Sequence, residues 1–540
     1  MKHAGNIILS LLLGLSFLVS SCGRHGIKDK DFRERVTQDF AVKMDIMGKK
    51  FFDLDSLGKV TQPEKEALEF LYAYMPMADV TDYGTAYYLS NVRISFSALA
   101  DFPWGKDISE PLFYHYVMPI RVSNENLDTS RVYLNKELFS LANGKKIKDV
   151  ILAVNHWCHE KAACEPTGTR TESPMTCILN AAGNQEEISI LLVSSLRSIG
   201  IPSRMTFRKV SKDSTRYRVE AWAEGTWYAL DACRPEPALQ PIGSDGLAWE
   251  TRVFGYYGPH AAPEEKVIVQ DIYYAIVQSD IRNNPQGKKP ISQIVTEQMR
   301  SKNDSLNAKE ERKRKEYEST FMTLRESSNY SDFIGVPYLQ ASPLLMESKG
   351  NVHVIKQFLH DHPDNRALEI LEDLTLEDLR DVTMDVLLDS YDAELSARKP
   401  KVENEYLTPY KKYFLKNIPE DLKAKFSDHP KDDLSKGIRE IIKWTKANIR
   451  TVTDSTAWYL PMSPVGVWKS RITDPHSRDI FFVALVRTFG NEARIDPETG
   501  NVQYNEFSES GITVPGYTGP VPMTVFKMKQ TDFPWIDVTF

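Results

Sequence analysis

Apolar positions recur along this chain with two different periods. After Thr61, residues Ala67, Leu68, Leu71 and Met75 return at helical spacing. Thr61 supplies a capping hydroxyl, and Pro63 is tolerated in the first turn, where its missing N–H would be unpaired anyway. Residues 134–161 are helical in pattern again, and Phe102-Pro103-Trp104-Gly105 reads as a turn with aromatic anchors. The clearest pattern opens at Gly183-Asn184. There Ile188, Ile190, Leu191, Leu192, Val193, Leu196 and Ile199 nearly encircle one helix, which predicts burial on most sides. Glu186 and Glu187 sit in its first turn, at the positive end of the helix dipole. Gly200 ends it and Pro202 prevents its continuation. Beyond Pro202 the reading changes to strands: 203–210, 217–223 and 226–230, the last two joined by Glu224-Gly225. A strand-bearing stretch and a Pro/Gly loop follow over 265–290, and helical patterns resume over 368–388 and 434–449. The mixed charges of Lys309–Lys315 read as a solvated helix face.

The pattern partly repeats. Leu196–Arg204 (LRSIGIPSR) is echoed by Val486–Arg494 (VRTFGNEAR), with Arg197/Arg487, Gly200/Gly490 and Arg204/Arg494 coinciding without gaps. In both stretches an apolar helix ends at glycine and an arginine opens the next strand, which points to duplication.

Composition narrows the functional classes. With 540 residues, 41% hydrophobic and 26% charged, the chain is a globular body of two to four domains, not a disordered or fibrous one. A net charge of −7 leaves no basic excess to coat a phosphate backbone, so nucleic acid is not an expected partner. At the amino terminus, Lys2 and His3 precede the apolar run Ile7–Val19, which is short for a membrane span. It ends in Val19-Ser20-Ser21-Cys22, small residues before a cysteine. This resembles a bacterial lipobox, implying cleavage after residue 21, acylation of Cys22 and a periplasmic or outer-membrane lipoprotein of the cell envelope. In an oxidising compartment Cys158, Cys164, Cys177 and Cys233 allow three complete disulfide pairings, which sequence does not separate.

The segments GNQEEISILLVSSLRSIGIPSR (183–204) and VEAWAEGTWYALDACRPEP (219–237) resemble the core of the transglutaminase-like superfamily, related in fold to papain-like cysteine proteases. NHWCHEK (155–161), FPWGKDI (102–108) and SPVGVWKSRITDPHSRDIFFVALVR (463–487) are similar to a bacterial family of large transglutaminase-like lipoproteins. The resemblance implies an α+β fold, a helix packed on an antiparallel sheet, with extensive helical regions and a second degenerate unit. It divides the chain into a signal peptide (1–21), a tether (22–50), a helical region (51–150), a transglutaminase-like domain (151–264), a linker and helical middle (265–435) and the second unit (436–540). In active members a cysteine begins the buried helix, a histidine follows on one strand and an aspartate on the next. Carried over, the cysteine position is Gln185, the histidine position Arg216 and the aspartate position Asp231, with Arg218 where a tryptophan is usual. A glutamine amide is not a nucleophile and a guanidinium stays protonated. No cysteine or histidine occurs from Asn184 to Glu224 to restore the set by a shift. The expected outcome is a structural polar cluster in which an Arg216 nitrogen bonds the Asp231 carboxylate and Gln185 adds an amide contact.

Other reactive residues fit function less well. His156, Cys158, His159 and Cys164 match no common zinc spacing, so packing is expected and no metal or cofactor is assigned. His360-Asp361-His362-Pro363-Asp364 reads as a solvated loop. In the second unit the counterpart of Gln185 is Pro475, beside His476 and Ser477, with Arg478 and Asp479 placed to cap or pair; no cysteine follows Cys233. The leading expectation is a lipid-anchored, catalytically inactive protein binding a peptide, glycan or protein partner in a retained groove. The competing class is a hydrolase or acyltransferase acting on peptide or amide bonds through Cys158 or Cys177, with His156 or His159 as base. A purely structural envelope protein is the third.

Overall fold

A computed structural model describes residues 26–168, 170–211, 214–235, 238–242, 249–254, 274–279, 338–392, 408–428, 430, 433, 435–452, 460–496, 498–505 and 535–540. The expected signal peptide, Cys22 and the 309–315 charge run lie outside the described residues. The chain divides into two compact units: Met1–Pro76, Tyr83–Ser327 and Thr456–Trp458 in the first, and Met77–Asp82, Ser328–Ser455 and Tyr459–Phe540 in the second.

In the first unit, helices α1 (Lys30–Met47), α2 (Gln62–Tyr74), α3 (Thr85–Asp101), α4 (Ser130–Ala142) and α5 (Ile147–Lys161) lead to the segment that builds the site. The tether expected over 22–50 is largely helical instead. Phe32, Val36 and Met44 are buried at multiples of four residues, so a sparse apolar stripe docks a helix whose other positions are mostly polar. At α2, Thr61 caps the helix with Pro63 in the first turn, as the sequence predicts, and Glu64 completes a reciprocal capping box that the sequence reading did not name.

Strand β1 (Ala163–Cys164) pairs in parallel with β2 (Ala182–Gly183), with α6 (Pro174–Asn180) between them in sequence. The encircled apolar run is α7 (Gln185–Ser198), and Gly200 at φ 78° ends it in the left-handed region where glycine is unstrained. Six antiparallel strands follow: β3 (Ser203–Ser211), β4 (Ser214–Ala223), β5 (Thr226–Leu230), β6 (Gln240–Pro241), β7 (Trp249–Phe254) and β8 (Tyr274–Ser279). Their spatial order is β6-β5-β4-β3-β7-β8. Glu224 and Gly225 both adopt positive φ, as a two-residue hairpin of matching twist requires. Val219 and Ala221 on β4 and Leu230 on β5 join Ile188, Leu191, Leu192 and Leu196 of α7 in one buried core. Each such Leu, Ile or Val stabilises the fold by roughly 1.5–3 kcal/mol.

Buried polar groups fix the surroundings of α7. The Arg197 guanidinium donates to the Ser203, Pro119 and Arg121 carbonyls, and Arg131 donates to those of Met118 and Pro119. Trp104, from the predicted aromatic turn, donates its indole N–H to the Ile199 carbonyl at 3.1 Å. Cys164 and Cys233 form a disulfide joining β1 to the loop after β5, while Cys158 and Cys177 are buried thiols. One pair therefore forms, and none of the complete pairings is realised.

In the second unit the helical middle is broken into short helices, Tyr338–Glu347, Val352–Asp361, Asn365–Glu372, Leu376–Leu379 and Met384–Asp392. His360 and Asp361 end one of these and Asp364 caps the next, so the HDHPD stretch is a tight turn between helices. Helix α8 (Lys436–Asn448) leads to β9 (Arg450–Thr451), which pairs in parallel with β10 (Ile472–Thr473) across α9 (Pro464–Ser470). Helix α10 (Pro475–Thr488) and the antiparallel strands β11 (Glu492–Ile495), β12 (Val502–Asn505) and β13 (Trp535–Asp537) complete the series. From the α6 cap onward, elements of the first unit return at an offset of 290 residues. Ser173 and Ser463 cap α6 and α9; α7 and α10 each run for 14 residues; Gly200 and Gly490 sit at φ 78° and 82°. Even one contact recurs, since Arg487 donates to the Ala493 carbonyl as Arg197 does to Ser203. The sequence echo at 196–204 is thus the visible part of a longer geometric correspondence.

A candidate active site at the head of the buried helix

The head of α7 is fixed by its own first turn. The Asn184 side chain accepts the Glu187 N–H at 3.1 Å and Glu187 accepts the Asn184 N–H at 2.7 Å, satisfying two otherwise unpaired donors. Gln185 therefore stands at the first position of the helix, facing β4. The β4–β5 ladder stops at the Val219–Leu230 pair, and the Gln185 carboxamide oxygen accepts the Tyr217 N–H at 3.2 Å just beyond it. Ser123, on the loop held by Arg131 and Arg197, donates to Glu186 at 2.5 Å and closes another side.

The expected Arg216–Asp231 pair does not form. Side chains alternate along a strand, so the face toward α7 at this level carries Tyr217, which packs against the core, and not Arg216. Arg216 is exposed and lies across from Arg208 of β3. Asp231 follows the last residue of β5 and turns on itself: its carboxylate accepts the Cys233 N–H at 2.9 Å and lies 4.0 Å from Arg234. Gln185 keeps its amide contact, but to a backbone group. Of the three triad-equivalent positions, the structure brings none into side-chain contact with another.

The other face of the sheet holds an ionic cluster that sequence reading missed. Glu220 is fully buried and bonded by Arg204 at 2.7 Å and by Arg218 at 2.6 Å. The Arg204 guanidinium also stacks on Trp227, and Arg218 on Trp249, at 4.4 and 4.2 Å. The alternation Arg204-x-Thr206 against Arg218-x-Glu220 signals a shared polar face, but only the β3–β4 register shows that the charges meet. The second unit has a counterpart with an amide in place of the carboxylate: Arg494 bonds Gln503 at 3.0 Å and stacks on Trp535.

The remaining thiols are poorly placed for chemistry. Cys158 is buried with its sulfur 3.7 Å from the Ser195 hydroxyl. Burial pushes the Cys177 thiol well above its usual value, and nearby Glu187, Glu172 and Asp128 push the same way. His159 is a packed group: burial, then the neighbouring His156, lowers it to about 4, against hydrogen bonds to the backbone at Arg234 and Asp231. The sign follows from linkage. Its folded value lies below the ordinary 6.5, so protonation favours unfolding; the stabilisation is complete above pH 6.5 and is lost as pH falls toward 4. Denaturant titrations at pH 7.5 and 4.5 should reveal a loss on the order of 2–3 kcal/mol that His159→Gln removes; an unchanged pH slope in the variant would assign the loss elsewhere.

In the second unit, Asp474 caps α10 by accepting from Ser477, and Arg478 pairs with Asp479 at 2.6 Å. A cavity of about 470 Å³ in that unit is lined by Asp385, Asp389, Lys412, Tyr413 and Lys469, among others.

Compared with known families, residues 135–232 match the transglutaminase-like superfamily. No curated protein and no solved structure matches the chain. Residues 135–232 accordingly form a transglutaminase-like domain, and the mixed helix–sheet architecture agrees with its α+β core.

Proposed function

We propose that this chain is a lipid-anchored, catalytically inert transglutaminase-like protein of the bacterial cell envelope, which holds a peptide, glycan or protein partner, and that residues 436–540 are a second degenerate unit of the same kind. The observation that carries the reading is Gln185. At the helix start where active relatives place their nucleophile, an amide side chain is committed to the backbone of β4. The hydrolase reading through Cys158 or Cys177 requires an accessible thiol of lowered pKa, and both are buried.

The Cys164–Cys233 disulfide supports an exported location, because such bonds persist in oxidising compartments. The 290-residue correspondence supports the duplicated unit, and the second unit's cavity, lined by side chains of both charge signs, is of a size to admit one residue or sugar of such a partner. Among the described residues no helix is long and apolar enough to cross a membrane; in this reading attachment is through an acylated Cys22. Cells fed an alkyne fatty acid should yield labelled protein in the membrane fraction, and Cys22→Ala should lose the label and the membrane association. Wild-type protein without label would overturn the anchor.

A further inference from the structure

Below the head of α7, three chemically reactive side chains converge. Glu172, Cys177 and Glu187 are buried, and each offers a ligand atom within 4.8 Å of the others. They come from separate places: the segment before α6, α6 itself and the first turn of α7. Gly183 makes the approach possible, since a Cβ there would stand 2.9 Å from Ile188 and 3.3 Å from the Cys177 sulfur.

A second observation points the same way. Asn180 is 8% exposed, and its amide nitrogen lies 3.4 Å from both Glu172 oxygens, a long and weak contact. Its amide oxygen is buried with no partner. Leaving such an acceptor unpaired costs about 1–3 kcal/mol. Half a turn of the amide exchanges its two atoms, and with a cation held against Glu172 the oxygen gains a bond there that the amide nitrogen cannot make.

We propose that Glu172, Cys177, Glu187 and Asn180 form a structural site for a divalent metal of the zinc class. Calcium and magnesium take oxygen ligands, whereas one sulfur with carboxylate and amide oxygens selects a borderline ion. Tetrahedral zinc with bonds of about 2.0–2.3 Å separates its ligands by roughly 3.3–3.8 Å, so the group needs to close by at most about 1–1.5 Å on binding. Binding forms a bond from the metal to the Cys177 sulfur and releases the thiol proton to solvent, and affinity therefore rises with pH. The route in passes the exposed loop at 164–168, where Thr167 accepts from Asn184 and donates to Glu187. Bound metal would lock that loop to the first turn of α7, next to Gln185.

Chelator-treated full-length protein titrated with cobalt(II) tests this. The expected result is one equivalent bound, with a near-ultraviolet thiolate-to-cobalt charge-transfer band that zinc abolishes by displacement. Cys177→Ser should remove the band and weaken zinc binding by roughly 10- to 100-fold or more, while Cys158→Ser keeps both. Asn180→Asp, which adds a carboxylate at nearly constant shape, should tighten binding. Wild-type protein that binds neither ion, or binds cobalt without the band, overturns the site, and so does a band lost in Cys158→Ser but kept in Cys177→Ser. The wild-type spectrum decides even if a variant fails to fold.

Discussion

Replacing Glu220 by alanine is expected to destabilise the first unit by about 3–5 kcal/mol. The carboxylate is fully buried and is bonded by Arg204 and Arg218, each also stacked on a tryptophan. Removing it leaves two cations facing each other with the compensating charge gone, and the stacking holds them in place instead of letting them turn to water. The large cost reports the orphaned charges and not the intrinsic worth of the cluster. Arg204→Met, Glu220→Leu and Arg218→Met together should therefore recover much of the loss, since a well-packed apolar replacement of a buried ionic triad is often neutral or better. Denaturant midpoints of the full chain check both. A single variant within 1 kcal/mol of wild type, on the scale of a surface pair, would show that water reaches the cluster.

Loss of the Cys164–Cys233 bond is expected to cost about 3–4 kcal/mol, through the freedom regained by an unfolded chain whose closed loop has a sequence separation of 69 residues. The bond ties β1 to the loop carrying Asp231, so its removal also releases the backbone that receives His159. The Cys164→Ser, Cys233→Ser double variant and wild-type protein under strong reductant should unfold at similarly lowered denaturant concentrations. Reduction without any shift in midpoint would mean that the native contacts alone hold the loop.

How much of this was legible in the sequence depends on the range of the forces involved. Helix α7 and strands β3 to β5 were readable because their signals are local: the encircling apolar run, Gly200 with Pro202, and the Glu224-Gly225 hairpin. Gln185 was placed at the helix start by counting from those same markers. Arg216 was misjudged because counting fixes a position along a strand but not the face it presents, and a one-residue difference reverses that face. Helix α1 was missed because its buried stripe is narrow and its other positions are polar enough to read as a tether. The disulfide partner choice, the Glu220 cluster and the Glu172–Cys177–Glu187 grouping join residues from separate elements, so only tertiary register reveals them. The echo at 196–204 was faint in sequence because the corresponding stretches share backbone demands, caps and left-handed glycines, more than side-chain identity.

The central claim is that the cradle at the head of α7 no longer performs acyl transfer. Its most direct test incubates the folded protein at neutral pH with a thiol-directed electrophile and, separately, with glutamine-containing peptides and a fluorescent primary amine. The account predicts no modification of Cys158 or Cys177 on the timescale of an exposed thiol, no amine incorporation and no ammonia release. Selective labelling of either cysteine together with amine incorporation that the matching Cys→Ser variant abolishes would contradict it.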